Sequence, residues 1–300
     1  MNAWEPVAAE ELTPTAPFEV RRAQPAGLAP PTPLVFASPH SGRDYPADMM
    51  DAAALDAVAI RRSEDAFVDE LVGCAPRLGA ALIVARLARA YIDVNREPFE
   101  LDPAMFADEL PEFARARSAR VAAGLGAIAR VVSEGQEIYS RKLTFAEATR
   151  RIERCHMPYH VALTGLLAEA QAAHGVAILI DWHSMPAAAA RTTTRERPCD
   201  MVLGDRFGAA CANPLALRVE RDLESMGYRV ARNTPYAGGY TTEHYGRPAS
   251  GVHALQIEIN RALYLDEALL QPTAGFGRLQ AHLAQLTERL ASADWSALAP

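Results

Sequence analysis

Three apolar segments that each end in polar residues constrain this chain more than any other feature. The segment 177–186, AILIDWHSMP, has four apolar residues followed by DWHS. The segment 34–42, LVFASPHSG, ends in the same way at His40, and 253–261, HALQIEINR, carries Glu258 near its end. Short apolar runs bounded by polar residues predict buried strands, and open α/β sheets bind ligands at the carboxyl ends of their strands. Two histidines and a glutamate at three such ends indicate a metal-dependent hydrolase.

Composition narrows the class of protein and its partners. The chain has 300 residues, 50% of them hydrophobic, and a formal net charge of -7. This negative charge argues against a nucleic-acid backbone as the main partner, because neutralising phosphates needs a basic face. No run approaches the roughly 18 apolar residues that span a bilayer, and the first residues do not resemble a signal peptide. The four cysteines are far apart and are expected to be reduced thiols. We therefore expect a cytoplasmic protein with neither a nucleic-acid nor a membrane partner.

The order of apolar patterns predicts one α/β domain. Prolines are dense in residues 1–33 and exclude a long helix there, so this segment is predicted to be an irregular lead-in packed on a single domain of residues 34–300. Helices and strands alternate without a clear linker in that domain, which favours three layers. The predicted strands are near 18–22 and at 34–37, 80–85, 91–94, 177–181, 200–203, 228–231 and 253–260. The predicted helices are 51–60, 64–78 with Ser63 as its N-cap, 115–132, 144–174, 214–226 and 273–290, and the main loops are 97–111 and 234–251.

A zinc site of the common catalytic kind needs two histidines and a carboxylate, with a position left open for water. His40 and His183 supply the imidazoles, and Glu64 or Asp65, at the predicted start of a helix, supplies the carboxylate. Each residue has an ordinary alternative role, since acidic residues stabilise helix starts and strand-end histidines often only form hydrogen bonds. The coincidence of three polar strand ends favours the metal site.

A second pair of histidines has the spacing of two metal ligands, but the residues between them do not fit a metal site. His156 and His160 are four residues apart, as are two ligands on one helix face. Met157 stands where a zinc protease of that kind has its glutamate, and Pro158 interrupts the turn. These two histidines are therefore predicted to have a structural or supporting role.

The remaining candidates each have two interpretations. Glu258 points away from the apolar residues beside it on a strand, either as a general base near the metal or on the solvated face of an edge strand. Arg96 and Arg261 are either ligands for substrate carboxylates or members of surface ion pairs. The GGYTT sequence at 238–242 allows the backbone to approach a ligand closely.

Taken together, the motifs resemble those of the N-formylglutamate amidohydrolases. They are PHSG at 39–42, DVNR at 93–96, DWHS at 181–184, GGYTTEHYG at 238–246 and QIEINRALY at 256–264. The resemblance runs in order from about residue 15 to 290. It implies a zinc-carboxypeptidase-like (phosphorylase/hydrolase-like) α/β fold with a mixed, mostly parallel sheet between helices. It also implies hydrolysis of N-formyl-L-glutamate, a small anionic N-acyl amino acid, to formate and L-glutamate in histidine degradation.

The resemblance also assigns roles to individual residues, with one zinc ion per chain. His40, His183 and Asp65 would be the zinc ligands, with Glu64 as the alternative to Asp65. Glu258 and Arg96 would be catalytic. The residues expected to contact substrate are Asn95, Arg96, Gly239, Thr241, Thr242 and Arg261, followed by Arg191 and Arg247. The compact HxxE ligand pair of the zinc carboxypeptidases is absent, because His40 is followed by Ser41, Gly42 and Arg43.

Two other functions remain open from the sequence. A zinc amidohydrolase acting on another N-acyl amino acid or small amide, or a peptidase, could share this metal site, because a fold does not determine its substrate. A non-catalytic ligand-binding relative would be expected to lack part of the catalytic set, and His40, His183 and Glu258 are all present.

Overall fold

A seven-stranded mixed sheet forms the centre of the protein. The computed structural model describes residues 16–23, 29–114, 118–132, 135–191 and 198–300. In space the strands follow the order β1-β3-β2-β4-β7-β5-β6, and only the β1–β3 and β7–β5 pairs are antiparallel. Their bounds are β1 Phe18–Arg21, β2 Leu34–Ser38, β3 Ala81–Ala85, β4 Ala177–Met185, β5 Met201–Gly204, β6 Val230–Arg232 and β7 Val252–Asn260. This arrangement confirms the predicted mixed, mostly parallel sheet.

Helices lie on both faces of the sheet. The α-helices are α1 Ala47–Met50, α2 Val68–Leu71, α3 Ala119–Ala122, α4 Phe145–Arg151, α5 Met157–His174, α6 Ala187–Ala190, α7 Asn213–Ser225, α8 Tyr240–Tyr245 and α9 Phe276–Ala291, and a two-stranded ribbon pairs β8 Leu265–Asp266 with β9 Gln271–Pro272. Within the described residues, no helix has the length and apolar character needed to cross a membrane.

The strands show why two helical layers are needed. Leu34 and Phe36 of β2 pack in a cluster that includes residues of α7 and α9. Val35 and Ala37, on the other face, pack with residues of α5. Because neighbouring side chains of a strand point to opposite faces, a strand that is apolar throughout must be covered on both sides. The three-layer α/β prediction is confirmed.

The predicted 144–174 helix is confirmed, with one irregular turn. Thr144 and Glu147 form a reciprocal capping box at its start. A π-helical turn at Ile152–His156 joins α4 to α5. The helix ends where Gly175 has a φ of 75°, a left-handed conformation that glycine adopts at little cost.

Two early predictions are wrong because their backbone groups bond to distant segments. Residues 91–94 form turns, not a strand; the Asp93 N–H donates to Ala127 O at 2.8 Å. Residues 51–58 form turns and a 3₁₀ helix follows at Ala59–Ser63, in place of the predicted helix. The Ala54 N–H donates to Ile138 O at 2.7 Å. A backbone N–H that donates to another segment cannot also donate within a local helix or between paired strands.

Other helical predictions are also wrong in part. The predicted 64–78 helix is reduced to α2 and a 3₁₀ turn at Ala75–Leu78, and Ser63 does not cap it. The described part of 115–132 contains only α3, followed by turns after Gly124, whose φ is 77°. The predicted 234–251 loop contains α8.

The division into a lead-in and a domain stays a prediction. Strand β1 of the lead-in pairs with β3 at the edge of the sheet. Residues 1–15 and 24–28 lie outside the described residues. Within the described residues, the cysteines at 74, 155, 199 and 211 form no disulfide.

Candidate metal centre and active site

Three neighbouring parallel strands bring the predicted polar residues to one edge of the sheet. His40 follows β2 by two residues, and His183 lies on β4. Glu258 lies on β7, directly opposite His183 in the strand register. Because β2, β4 and β7 are adjacent and parallel, their carboxyl ends meet at the place where ligands bind in such sheets.

Asp65 completes a triangle of possible ligand atoms with the two histidines. His183 Nδ1 lies 3.0 Å from His40 Nδ1 and 3.1 Å from Asp65 Oδ2, and His40 Nδ1 lies 3.3 Å from the same oxygen. Zinc bonds of about 2.0–2.1 Å in tetrahedral geometry place neighbouring ligand atoms about 3.3 Å apart. Within the described residues, this trio is the group of side chains that could hold a metal ion.

The far nitrogen of each imidazole faces a buried carboxylate. His40 Nε2 bonds to Asp93 Oδ1 at 2.8 Å, and Asp181 Oδ2 lies 3.1 Å from His183 Nε2. Metal-binding histidines commonly have a carboxylate in this position, which orients the ring and raises its basicity. Asp181 is fully buried, and neither of its oxygens has a hydrogen-bond partner among the described residues. A cation bound on the other side of His183 would balance that charge.

The charges of this site favour ionised carboxylates around a positive centre. Burial alone raises the pKa of Asp65, but hydrogen bonds with His183 and His40 hold that pKa well below its ordinary value. Burial alone lowers the pKa of His183, yet Asp181 and Asp65 raise it well above the ordinary value. The carboxylates therefore stabilise positive charge at His183. Carboxylate and imidazole are ligands that suit zinc.

The structure distinguishes Asp65 from its neighbour Glu64. The Asp65 N–H donates to His40 O at 2.9 Å, which holds this residue in a loop before α2. The prediction that it begins a helix is therefore wrong. Glu64 turns away and bonds to Arg61 at 2.9 Å and to the Tyr45 hydroxyl at 2.8 Å. Arg261 donates to the second oxygen of Asp65 at 2.9 Å and so orients this carboxylate.

Glu258 lies beside the triangle on an internal strand. Strand β7 runs between β4 and β5, and Glu258 is only 8% exposed, so the edge-strand interpretation is wrong. Its carboxylate accepts a hydrogen bond from Gln256 Nε2 at 2.9 Å. Burial raises the pKa of Glu258 to about 7. A carboxylate with a pKa near neutrality can both accept and release a proton.

A cavity of about 690 Å³ opens onto these residues and is rich in arginine. Among the described residues, three carboxylates line it, from Asp65, Asp93 and Glu258. Six arginines of the described chain line the same cavity: Arg62, Arg89, Arg96, Arg120, Arg206 and Arg261. The chain as a whole has a net charge of -7, so the cavity has the opposite sign to the rest of the protein. Such a cavity attracts anions.

The predicted substrate-contacting residues divide into two groups. Those that line the cavity are Asn95, Arg96, Gly239 and Arg261. The four that do not line it are Thr241, Thr242, Arg191 and Arg247. Both threonines are fully buried, and Arg247 donates to the carbonyls of Glu243 and Gly246.

Several cavity residues were not singled out from the sequence. Arg89 donates to Asp93 Oδ2 at 2.7 Å, and Gln256 links Glu258 to the Gly239 N–H, which donates to it at 2.7 Å. Asp181 and Gln256 had the same local signal, because residues two apart on a strand share a face and they stand two before His183 and Glu258. Arg89 carries no comparable pattern.

This chain is similar to known proteins over most of its length. The sequence profile of the N-formylglutamate amidohydrolase family matches residues 32–265. A crystal structure of N-formylglutamate amidohydrolase from Ralstonia eutropha JMP134 is 41% identical with a TM-score of 0.85, covering 92% of this chain and 97% of that chain.

Two N-formylglutamate deformylases are more distant relatives. The protein from Pseudomonas aeruginosa is 29% identical over 239 residues, which are 78% of this chain and 83% of the relative. The protein from Pseudomonas putida is 29% identical over 252 residues, which are 80% of this chain and 88% of the relative. The range matched by the family profile, 32–265, covers most of the chain, and this chain belongs to the N-formylglutamate amidohydrolase family.

Proposed function

We propose that this protein is a zinc-dependent amidohydrolase that cleaves N-formyl-L-glutamate to formate and L-glutamate. The observation that carries the proposal is the triangle of His40, Asp65 and His183, with its edges of 3.0–3.3 Å, beside a buried glutamate in an arginine-rich cavity. The substrate follows from the names of the relatives and from the anionic ligand that such a cavity favours.

The three ligand side chains are held in place before any metal binds. His40 is oriented by Asp93, His183 lies against Asp181, and Asp65 is held by Arg261. A zinc ion bound to them would polarise the formyl carbonyl and lower the pKa of a water molecule. Because the supporting groups are buried, little reorganisation is needed when substrate arrives.

Glu258 is the proposed general base. It takes a proton from the water that attacks the formyl carbon, and later gives that proton to the leaving amine nitrogen as the C–N bond breaks. The oxygen of water is retained in formate, and the free amine is that of L-glutamate. The pKa of Glu258, raised to about 7 by burial, suits both transfers.

The arginines supply recognition of the two substrate carboxylates. Arg96 and Arg261 are the first candidates, and each already uses part of its guanidinium within the protein. Arg96 donates to the carbonyls of Leu125 and Asn95, and Arg261 donates to Ser184 and Asp65. A guanidinium carries five N–H donors, so each can hold its position and still bind a carboxylate.

The test is formate release from N-formyl-L-glutamate by the purified protein, before chelation, after chelation and after return of zinc. We expect release that is lost with chelation and restored by zinc. Release that survives complete removal of metal would refute the metal mechanism. Absence of release from the zinc-loaded protein, with turnover of an N-acetyl or N-succinyl amino acid instead, would refute the substrate.

The Glu258→Gln variant separates binding from chemistry. It should retain zinc while kcat falls about 10²–10⁴-fold, the usual contribution of a general base. Near-normal kcat would refute the role of Glu258.

A place in histidine degradation and a cytoplasmic location stay predictions.

A further inference from the structure

His156 and His160 bond to the two carbonyls that flank Asn95. His156 Nε2 donates to Arg96 O at 2.8 Å, and His160 Nε2 donates to Val94 O at 2.8 Å. Neither histidine lines the cavity. The two rings, one helical turn apart, therefore hold the backbone of a cavity residue from behind.

The chemistry of these contacts determines the state of both rings. A carbonyl oxygen can only accept, so each Nε2 carries the hydrogen. His160 Nδ1 is then an acceptor, and the Tyr245 hydroxyl lies 2.8 Å from it. Burial lowers the pKa of His156 and lowers that of His160 to about 3. Both rings are neutral near pH 7, and the two hydrogen bonds persist.

The helix has a π-helical turn at the position of these two histidines. His156 is the last residue of the π-helical turn at Ile152–His156, and His160 lies on the first turns of α5. A π-turn inserts one residue and so rotates the helix face that follows by about 100°. π-turns often occur at functional sites. After this turn the two imidazoles, four residues apart, bond to the segment that carries Asn95.

Asn95 connects that segment to both histidines of the metal triangle. Its Nδ2 lies 3.1 Å from His183 Nε2, and its N–H donates at 2.8 Å to Asp93, the carboxylate that holds His40. Its Oδ1 accepts the Thr241 N–H at 2.7 Å. With His183 Nδ1 in the triangle, its Nε2 carries the ring hydrogen, so the Asn95 Nδ2 contact is one of packing and not a hydrogen bond. A shift of the Asn95 backbone would disturb the triangle through that packing contact and through Asp93.

We propose that His156 and His160 are positioning residues that clamp the carbonyls of Arg96 and Val94 and thereby set Asn95 against His183. The effect on turnover rests on the proposed function. The effect on the Asn95 contacts does not, and it can be measured without substrate.

Two variants of His156 form a matched pair. The His156→Gln side chain places an amide donor near the position of Nε2, whereas the shorter His156→Asn side chain ends near Nδ1 and cannot reach Arg96 O. Hydrogen exchange at the Thr241 amide reports its bond to Asn95. We expect exchange about fivefold faster in His156→Asn than in His156→Gln, the effect of losing one hydrogen bond. Equal exchange in the two variants would overturn the clamp.

A double-mutant cycle with Asn95→Ala tests whether the clamp acts through Asn95. In the wild-type background, His156→Asn should lower kcat/KM about 10–100-fold, because small misplacements of a site are costly. In the Asn95→Ala background, His156→Asn should lower kcat/KM by a further factor of less than about two. In the wild-type background, His156→Gln should keep most of the kcat/KM that His156→Asn loses. Equal falls in both backgrounds would show a general structural defect and overturn the proposal.

His253 supplies the control. It is also buried and also bonds through Nε2 to a carbonyl, Leu298 O at 3.0 Å, at the other end of β7 from Glu258. His253→Asn should lower thermal stability about as much as His156→Asn, without changing kcat/KM more than about twofold or altering Thr241 exchange. Absence of turnover in the wild type would refute the proposed function, and the exchange measurement would still decide the clamp.

Discussion

Replacing Asp181 with asparagine removes one buried negative charge from behind His183 and keeps the size of the side chain. Asp181 is 0% exposed, and its Oδ2 lies 3.1 Å from His183 Nε2. Within the described part of the chain, neither Asp181 oxygen has a hydrogen-bond partner. The substitution therefore acts on His183 with little other disturbance.

The expected loss is one of zinc affinity. Carboxylates behind a ligating histidine contribute about 10–100-fold to metal affinity, which is about 1.4–2.7 kcal/mol. Asp181 also raises the pKa of His183, so a proton competes with the metal for the same nitrogen. A dication interacts with the carboxylate about twice as strongly as a proton does at equal distance. Removal of the charge should therefore weaken zinc binding overall.

Competition with a chromogenic chelator at neutral pH measures the zinc Kd of both proteins. Asp222→Asn is the matched control, because Asp222 is a carboxylate on α7 with a 13% exposed side chain paired to Arg218, outside the cavity. We expect the Asp181→Asn protein to bind zinc about 10–100-fold more weakly and the control to bind normally. A Kd for Asp181→Asn within about twofold of wild type would refute the reasoning.

Three further predictions concern individual residues. A Cβ on Gly239 would lie 2.5 Å from Asn95 Nδ2, so Gly239→Ala should lower the free energy of unfolding by about 1–3 kcal/mol and reduce kcat/KM; unchanged values would contradict the contact. Gly165 of α5 has open space around it, and Gly165→Ala should raise thermal stability by about 0.5–1 kcal/mol without changing activity. Hydrogen bonding from Arg141 lowers the pKa of Glu147 from 4.5 to about 2. The contribution of the Glu147 carboxylate to the free energy of unfolding is therefore present above pH 4.5 and lost as pH falls towards 2. Glu147→Gln should cost about 1 kcal/mol near pH 7 in urea unfolding, and the difference should disappear in acid.

The pattern of apolar residues predicted secondary structure correctly for the strands buried in the sheet. Strands β2, β4 and β7 were predicted because each is a short apolar run with polar ends. The long helix was predicted from its helical pattern of apolar residues, and its end was predicted from Gly175. The same approach was wrong at 51–60 and 91–94. Both segments are apolar enough for a helix or strand, but their backbone groups bond to residues 138 and 127.

The sequence by itself determined which residue types were available for chemistry and, through three polar strand ends, that His40, His183 and Glu258 would share one edge of the sheet. Only the tertiary structure decided that Asp65, not Glu64, meets the histidines, that distant arginines line one cavity, and that His156 and His160 bond to the carbonyls beside Asn95. The physical reason is the range of the interactions. Burial periodicity is a local property of a segment, whereas Asp65 bonds to His183 and Arg261, which are 118 and 196 residues away along the chain.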